Sequence, residues 1–143
     1  MKLLDKTMTA VLLDGNVSYD ALRKHAFHLA GKRLMRRIAG ELGLTKGQYD
    51  LRSNLGGIAV SGEVTLHADT LYLQLSQSAL SGGRACILYR RCAGRKDYTG
   101  ETNHWIDVER LLTADGAERF IQSLKVVGGL ALPAATPAWR LAA

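Results

Sequence analysis

The stretch from Arg84 to Asp107, RACILYRRCAGRKDYTGETNHWID, holds more kinds of reactive and recognising side chain than any other part of the chain. Four readings can be written on it. Cys92 and His104 are the types for a thiol nucleophile with its base, and the neighbouring Arg90, Arg91 and Arg95 would favour the thiolate. A half-buried core thiol is the commoner use of such a cysteine. Arg95, Lys96, Asp97, Tyr98, His104 and Asp107 include the types that cleave phosphodiesters, but no second carboxylate cluster accompanies them to hold a divalent metal. His67, Cys86, Cys92 and His104 are the soft ligands nearby, and none forms a pair at the short spacing of a zinc site. The fourth reading is binding without catalysis. Arg90, Arg91, Arg95 and Lys96 supply cations for phosphates, and Tyr89, Tyr98 and Trp105 supply rings for stacking. Trp105, beside Ile106, also reads as a core residue. Binding is the favoured reading, with His104 as an added polar contact and no cofactor expected.

A second basic segment lies upstream. Between about Tyr19 and Leu44, Ala26, Ala30, Leu34, Ile38 and Leu42 recur every fourth residue, with Phe27 and Met35 beside them. That is the apolar stripe of a helix. Lys24, His28, Lys32 and Arg36 repeat with the same spacing on the opposite side, joined by Arg33 and Arg37. Asp20 and Glu41 are the carboxylates offsetting them, whereas a merely solvated helix usually mixes signs. The pattern predicts a phosphate-contacting face. Gly31, in mid-helix, marks a kink or a close packing contact.

The whole chain has 143 residues, 19 Lys and Arg against 13 Asp and Glu, and a net charge of +6. The length suits one domain, and the charge favours an anionic partner without saying anything of fold. Cys86 and Cys92 fall on one face of a predicted strand, roughly 20 Å apart, beyond disulfide reach. Free thiols and a reducing, cytoplasmic compartment follow as expectations. Asp5 and Lys6 interrupt the N-terminal apolar residues before a signal sequence can form. No apolar run reaches the ~20 residues of a membrane span.

Thr7–Leu13, closed by Asp14-Gly15-Asn16, reads as a strand and turn. Ser18 reads as the N-cap of the long helix. Thr45–Leu55 is a polar connector. Ile58, Val60, Val64 and Leu66 alternate with polar residues, and Leu71, Leu73 and Leu75 do the same beyond Ala68-Asp69, predicting a hairpin. Gly62 marks a bulge or a close approach. Arg84–Cys92 predicts a third strand, apolar on both faces and therefore central or doubly covered. Trp105–Val108 predicts a short fourth strand or the lead-in to a helix. Ala117–Val126 is a helix that Gly128-Gly129 stops. The fold class is α+β: a three- to four-stranded antiparallel sheet in the order β-α-β-β-β-α, with a long N-terminal and a shorter C-terminal helix packed on it. One domain spans 1–129, and 130–143 is an extended tail rich in Ala and Pro.

A helix, a three-stranded meander and a second helix resemble the double-stranded RNA-binding domain in element order. That family opens its second helix with lysines, and Thr113–Glu118 has none, so no residue role transfers. The run LRSNLGGIAVSGEVTLH together with GRKDYTG is similar to small uncharacterised proteins carried on proteobacterial mobile elements. The resemblance covers about the middle half of the chain and implies an accessory role, in handling element DNA or in interfering with a host defence complex. The expected partner is DNA, RNA or a protein complex that handles nucleic acid, with no membrane contact.

Overall fold

In a computed structural model, which describes residues 1–78 and 82–130, the order of elements is α-α-β-β-β-β-β-α. The first departure from expectation is α1, Lys6–Leu12, where a strand was predicted. Asp5 caps it, its Oδ1 accepting from the Met8 N–H at 2.8 Å. Met8 and Leu12, four apart, are both buried. Four-residue spacing puts both on one side of a helix but also on one face of a strand, so Thr7, Thr9 and Val11 read as strand residues. Contact with the long helix decides the matter, with Arg33 and Arg37 both reaching Asp5.

The long helix α2 spans Ala21–Glu41, and its N-cap is Asp20 rather than Ser18. Phe27, Leu34, Met35 and Ile38 are fully buried beneath it. Gly31 is the close contact its position suggested: an added Cβ would lie 2.7 Å from Leu75 Cδ2 and 3.1 Å from Val64 Cγ2. Hydrogen is the largest side chain that lets the helix axis come this near the sheet.

The sheet has five strands, not three or four, in the simple order β1-β2-β3-β4-β5 and antiparallel throughout. They are β1 Tyr49–Asn54, β2 Glu63–Ala68, β3 Leu71–Gln77, β4 Ala85–Arg91 and β5 His104–Asp107. β1 occupies what reads as a polar connector. Its alternation is masked because the strand is an edge, with Arg52, Ser53 and Asn54 exposed. β2 begins at Glu63, so Ile58 and Val60 lie outside the hairpin that was predicted to contain them. A five-stranded sheet preceded by two helices is also not the element order of the double-stranded RNA-binding domain.

Register fixes the two faces. Leu51, Leu66, Leu73, Tyr89 and His104 stand in one cross-strand row, and Ser53, Val64, Leu75, Ile87 and Ile106 in the next. Both rows face α2 and α3, Ala114–Gly128. α3 is capped by Thr113 and ends at Gly129, whose φ of +63° is the left-handed conformation glycine adopts without strain. The opposite face carries the row Asp50, His67, Tyr72, Arg90 and the row Arg52, Thr65, Gln74, Leu88, Trp105. β4 is buried on both faces, as its sequence suggested. The expected tail falls almost wholly outside the described residues.

Candidate functional site

The loop after β4 turns back over the helix-free face, and Asp97 organises it. Its carboxylate accepts from the N–H groups of Ala93, Thr99 and Gly100 and from the Thr99 hydroxyl, at 2.9–3.1 Å. These bonds, Ala93 first, hold the acid far below the ordinary carboxylate range. Such a group is a poor base, and its role here is to shape the loop. Tyr98 is thereby set edge-on against His67, ring centroids 5.2 Å apart, and receives a 2.7 Å hydrogen bond from Arg52.

The cations of this loop are largely engaged inside the protein. Arg90 is buried, lies 4.4 Å above the Tyr72 ring and donates to the Tyr98 carbonyl and to Asn103. Arg95 donates to the Gly47 carbonyl at 2.7 Å and pairs with Asp69 at 3.1 Å and Asp50 at 3.7 Å. Arg91, one residue from Arg90, points to the helix-covered face, toward the Val127 carbonyl. Lys96 is exposed and has no hydrogen bond or ion pair among the described residues.

The basic face of α2 divides in the same way. Lys24 is buried, its Nζ donating to the carbonyls of Leu55 and Gly57 at 3.1 and 2.9 Å. His28 is buried too, bonded to the Ser53 hydroxyl and the Ser61 carbonyl, and burial pushes its ring toward the neutral form. Arg33 and Arg37 are committed to Asp5 at 2.8 and 3.2 Å. Lys32 and Arg36 have no such partner among the described residues. The structure thus brings Arg90 and Tyr98 together, and Arg33 with Arg37. It places α2, Arg91 and His104 on the opposite side of the sheet from Arg90, Arg95 and Tyr98.

The catalytic readings do not assemble. Cys92 faces the helix-free side, its thiol donating to the Ala68 carbonyl at 3.4 Å, and burial pushes its pKa up. His104 is on the other side, stacked on Tyr89 at 5.2 Å. Both cysteines are buried free thiols. Among the described residues no three His, Cys, Asp or Glu side chains converge in a way that could hold a metal.

The feature that sequence reasoning missed is apolar. Ile58 and Leu22 are 75% and 85% exposed, and Tyr19, Leu29, Leu55 and Val60 are exposed as well. The loop between β1 and β2 carries Leu55, Ile58 and Val60 outward because it is braced from within. Lys24 holds two of its carbonyls, His28 holds Ser61, and Ile58 O accepts from the Tyr19 N–H at 2.8 Å. Gly62, at φ +71°, turns the chain back into β2 where a Cβ would strike the Asn54 carbonyl. Tyr19 has φ +66°, a conformation that costs a residue with a side chain on the order of 1 kcal/mol. The signal in the sequence was the pair Gly56-Gly57 and the single Gly62, which bracket Ile58 and Val60. Trp105, expected in the core, is 46% exposed on the edge strand. Compared with protein-family models, with curated proteins and with solved structures, the chain matches none.

Proposed function

We propose that this chain acts by binding another protein, through the ridge that Leu55, Ile58 and Val60 form on the β1–β2 loop beside Tyr19, whose N–H bonds the Ile58 carbonyl. One observation carries the reading: large apolar side chains are held outward on a loop fixed by buried Lys24 and His28. Exposed apolar side chains gathered in one place are the usual mark of a protein-contacting surface. On the resemblance to mobile-element proteins, the partner is a host complex that targets nucleic acid.

The test is co-purification from the native cell, with Ile58→Asp and Val60→Asp as variants. Each should abolish recovery of the partner while leaving the melting temperature within a few degrees, because both side chains already face water. Undiminished recovery from the double variant would remove the ridge from consideration.

A second reading, binding of a polyanion, is favoured by Lys96, which lacks an internal partner, together with the Arg52–Tyr98 pair on the helix-free face; Lys32 and Arg36 lie across the sheet from them. It differs in its salt dependence. Contacts with phosphates release counterions, so affinity would fall steeply between low and high salt, whereas apolar ridge contacts would hardly respond.

A further inference from the structure

The sheet has two edges. β5 is four residues long and runs directly into a 3-10 turn at Val108–Leu112. β1 is six residues, Tyr49–Asn54, and no hydrogen bond from outside the sheet reaches its backbone among the described residues. It carries no proline and no lysine, the residues that commonly protect an edge from pairing. Its outward N–H and C=O groups are a template for another strand.

The side chains of β1 say which strand fits. Asp50 and Arg52 flank Leu51 and stand on the same face of the sheet. Let a second β1 run antiparallel, with a two-fold axis at Leu51. Asp50 then stands opposite Arg52 of the second copy, and Arg52 opposite its Asp50. On the other face Leu51 meets Leu51 and Tyr49 meets Ser53, so the apolar layer continues across the junction. The adjacent registers fail on charge, and an axis at Tyr49 or Ser53 would pair no more than half of the strand. An axis at residue 50 sets Asp50 against itself, an axis at residue 52 sets Arg52 against itself, and parallel pairing in register does both. An axis between two residues would join opposite faces of the two sheets, because the side-chain period is two. Within one copy Arg52 and Asp50 already pair, but loosely, at 3.6 Å and partly in solvent. Arg52 also donates to Tyr98 at 2.7 Å and Asp50 also lies 3.7 Å from Arg95, so the two cross-strand pairs form against these part-exposed contacts as well.

We propose that two copies of this chain join edge to edge through β1, antiparallel about Leu51, making one continuous ten-stranded sheet with the helices of both copies on the same face. The proposal does not rest on the apolar ridge, which lies on the loop beyond β1.

Sedimentation or light scattering of the full chain over a concentration series tests it. The wild type should be a dimer. Asp50→Arg alone and Arg52→Asp alone should each weaken association by roughly tenfold or more, since two cross-strand pairs turn from attraction to repulsion at once. The double reversal, Asp50→Arg with Arg52→Asp, should restore the dimer. Mixing the two single variants should give a heterodimer, which also shows that both are folded. A monomeric wild type overturns the proposal. So does a dimer that survives both single reversals, or a double reversal as weak as either single.

Discussion

On the helix-covered face of the sheet, Val64, Leu66, Leu73, Leu75 and Ile87 meet Phe27, Leu34, Ile38, Phe120 and Leu124, all buried. On the other face the same strands carry His67, Tyr72, Gln74 and Arg90, and one end is strapped by the loop that Asp97 shapes. The first face is held by area and fit: apolar groups leave water, and any change of volume is felt. The second is held by partners. Arg90 needs the Tyr98 carbonyl, Asn103 and the Tyr72 ring; His67 needs the Gly94 carbonyl, to which it bonds at 2.8 Å. The lesson concerns positive charge. A cation over an open sheet face does not have to be a ligand-binding cation, and here most of those near the strap hold it down.

The difference can be put to measurement. The largest effect should come from Ile38→Asp, which buries a charge in the apolar layer and should cost about 4 kcal/mol or more, abolishing cooperative thermal unfolding. A well-folded variant would mean that the stripe on α2 does not face inward. Arg90→Met should cost less, about 1.5–3 kcal/mol, because it removes charge-assisted hydrogen bonds but keeps much of the packing over Tyr72. If it were as damaging as Ile38→Asp, the two faces would not differ as described. The smallest effect concerns pH. Burial first of all lowers the pKa of both His28 and His67. Each ring is more easily protonated in the unfolded chain, so their contribution is complete above about pH 6.5 and is lost as pH falls below it. Melting temperature should therefore drop between pH 7 and 5, and His28→Gln with His67→Gln should flatten that drop. An equally steep profile in the double variant would assign the dependence elsewhere.

Much of the architecture is legible in the residues. The apolar repeat of α2, the alternation in β3, the two apolar faces of β4 and the stop at Gly128-Gly129 follow from local spacing, whereas at Gly31 the residues leave a kink and a close contact open and the structure shows the contact. Two elements were misread for definable reasons. The residues of α1 satisfy helical and strand periods alike over seven positions, and only its packing on α2 separates them. β1 is an edge strand whose exposed second half shows no alternation to read. Ile58 and Val60 keep the period of β2 although the chain breaks from the sheet before Glu63, so a correct alternation was extended into a loop.

What the order of residues fixed, then, is which segments become helices and strands and which of their positions are apolar, since those depend on neighbours a few places away. The fate of the charged groups was open until the chain closed. Arg95 meets Asp69 and Gly47, Arg52 meets Tyr98, and Lys24 meets Leu55, pairs separated by 26, 48, 46 and 31 positions. No periodicity spans such distances. Whether a cation is available to a partner or is bound to its own protein is a property of the packed sheet, as is the outward turn of Ile58.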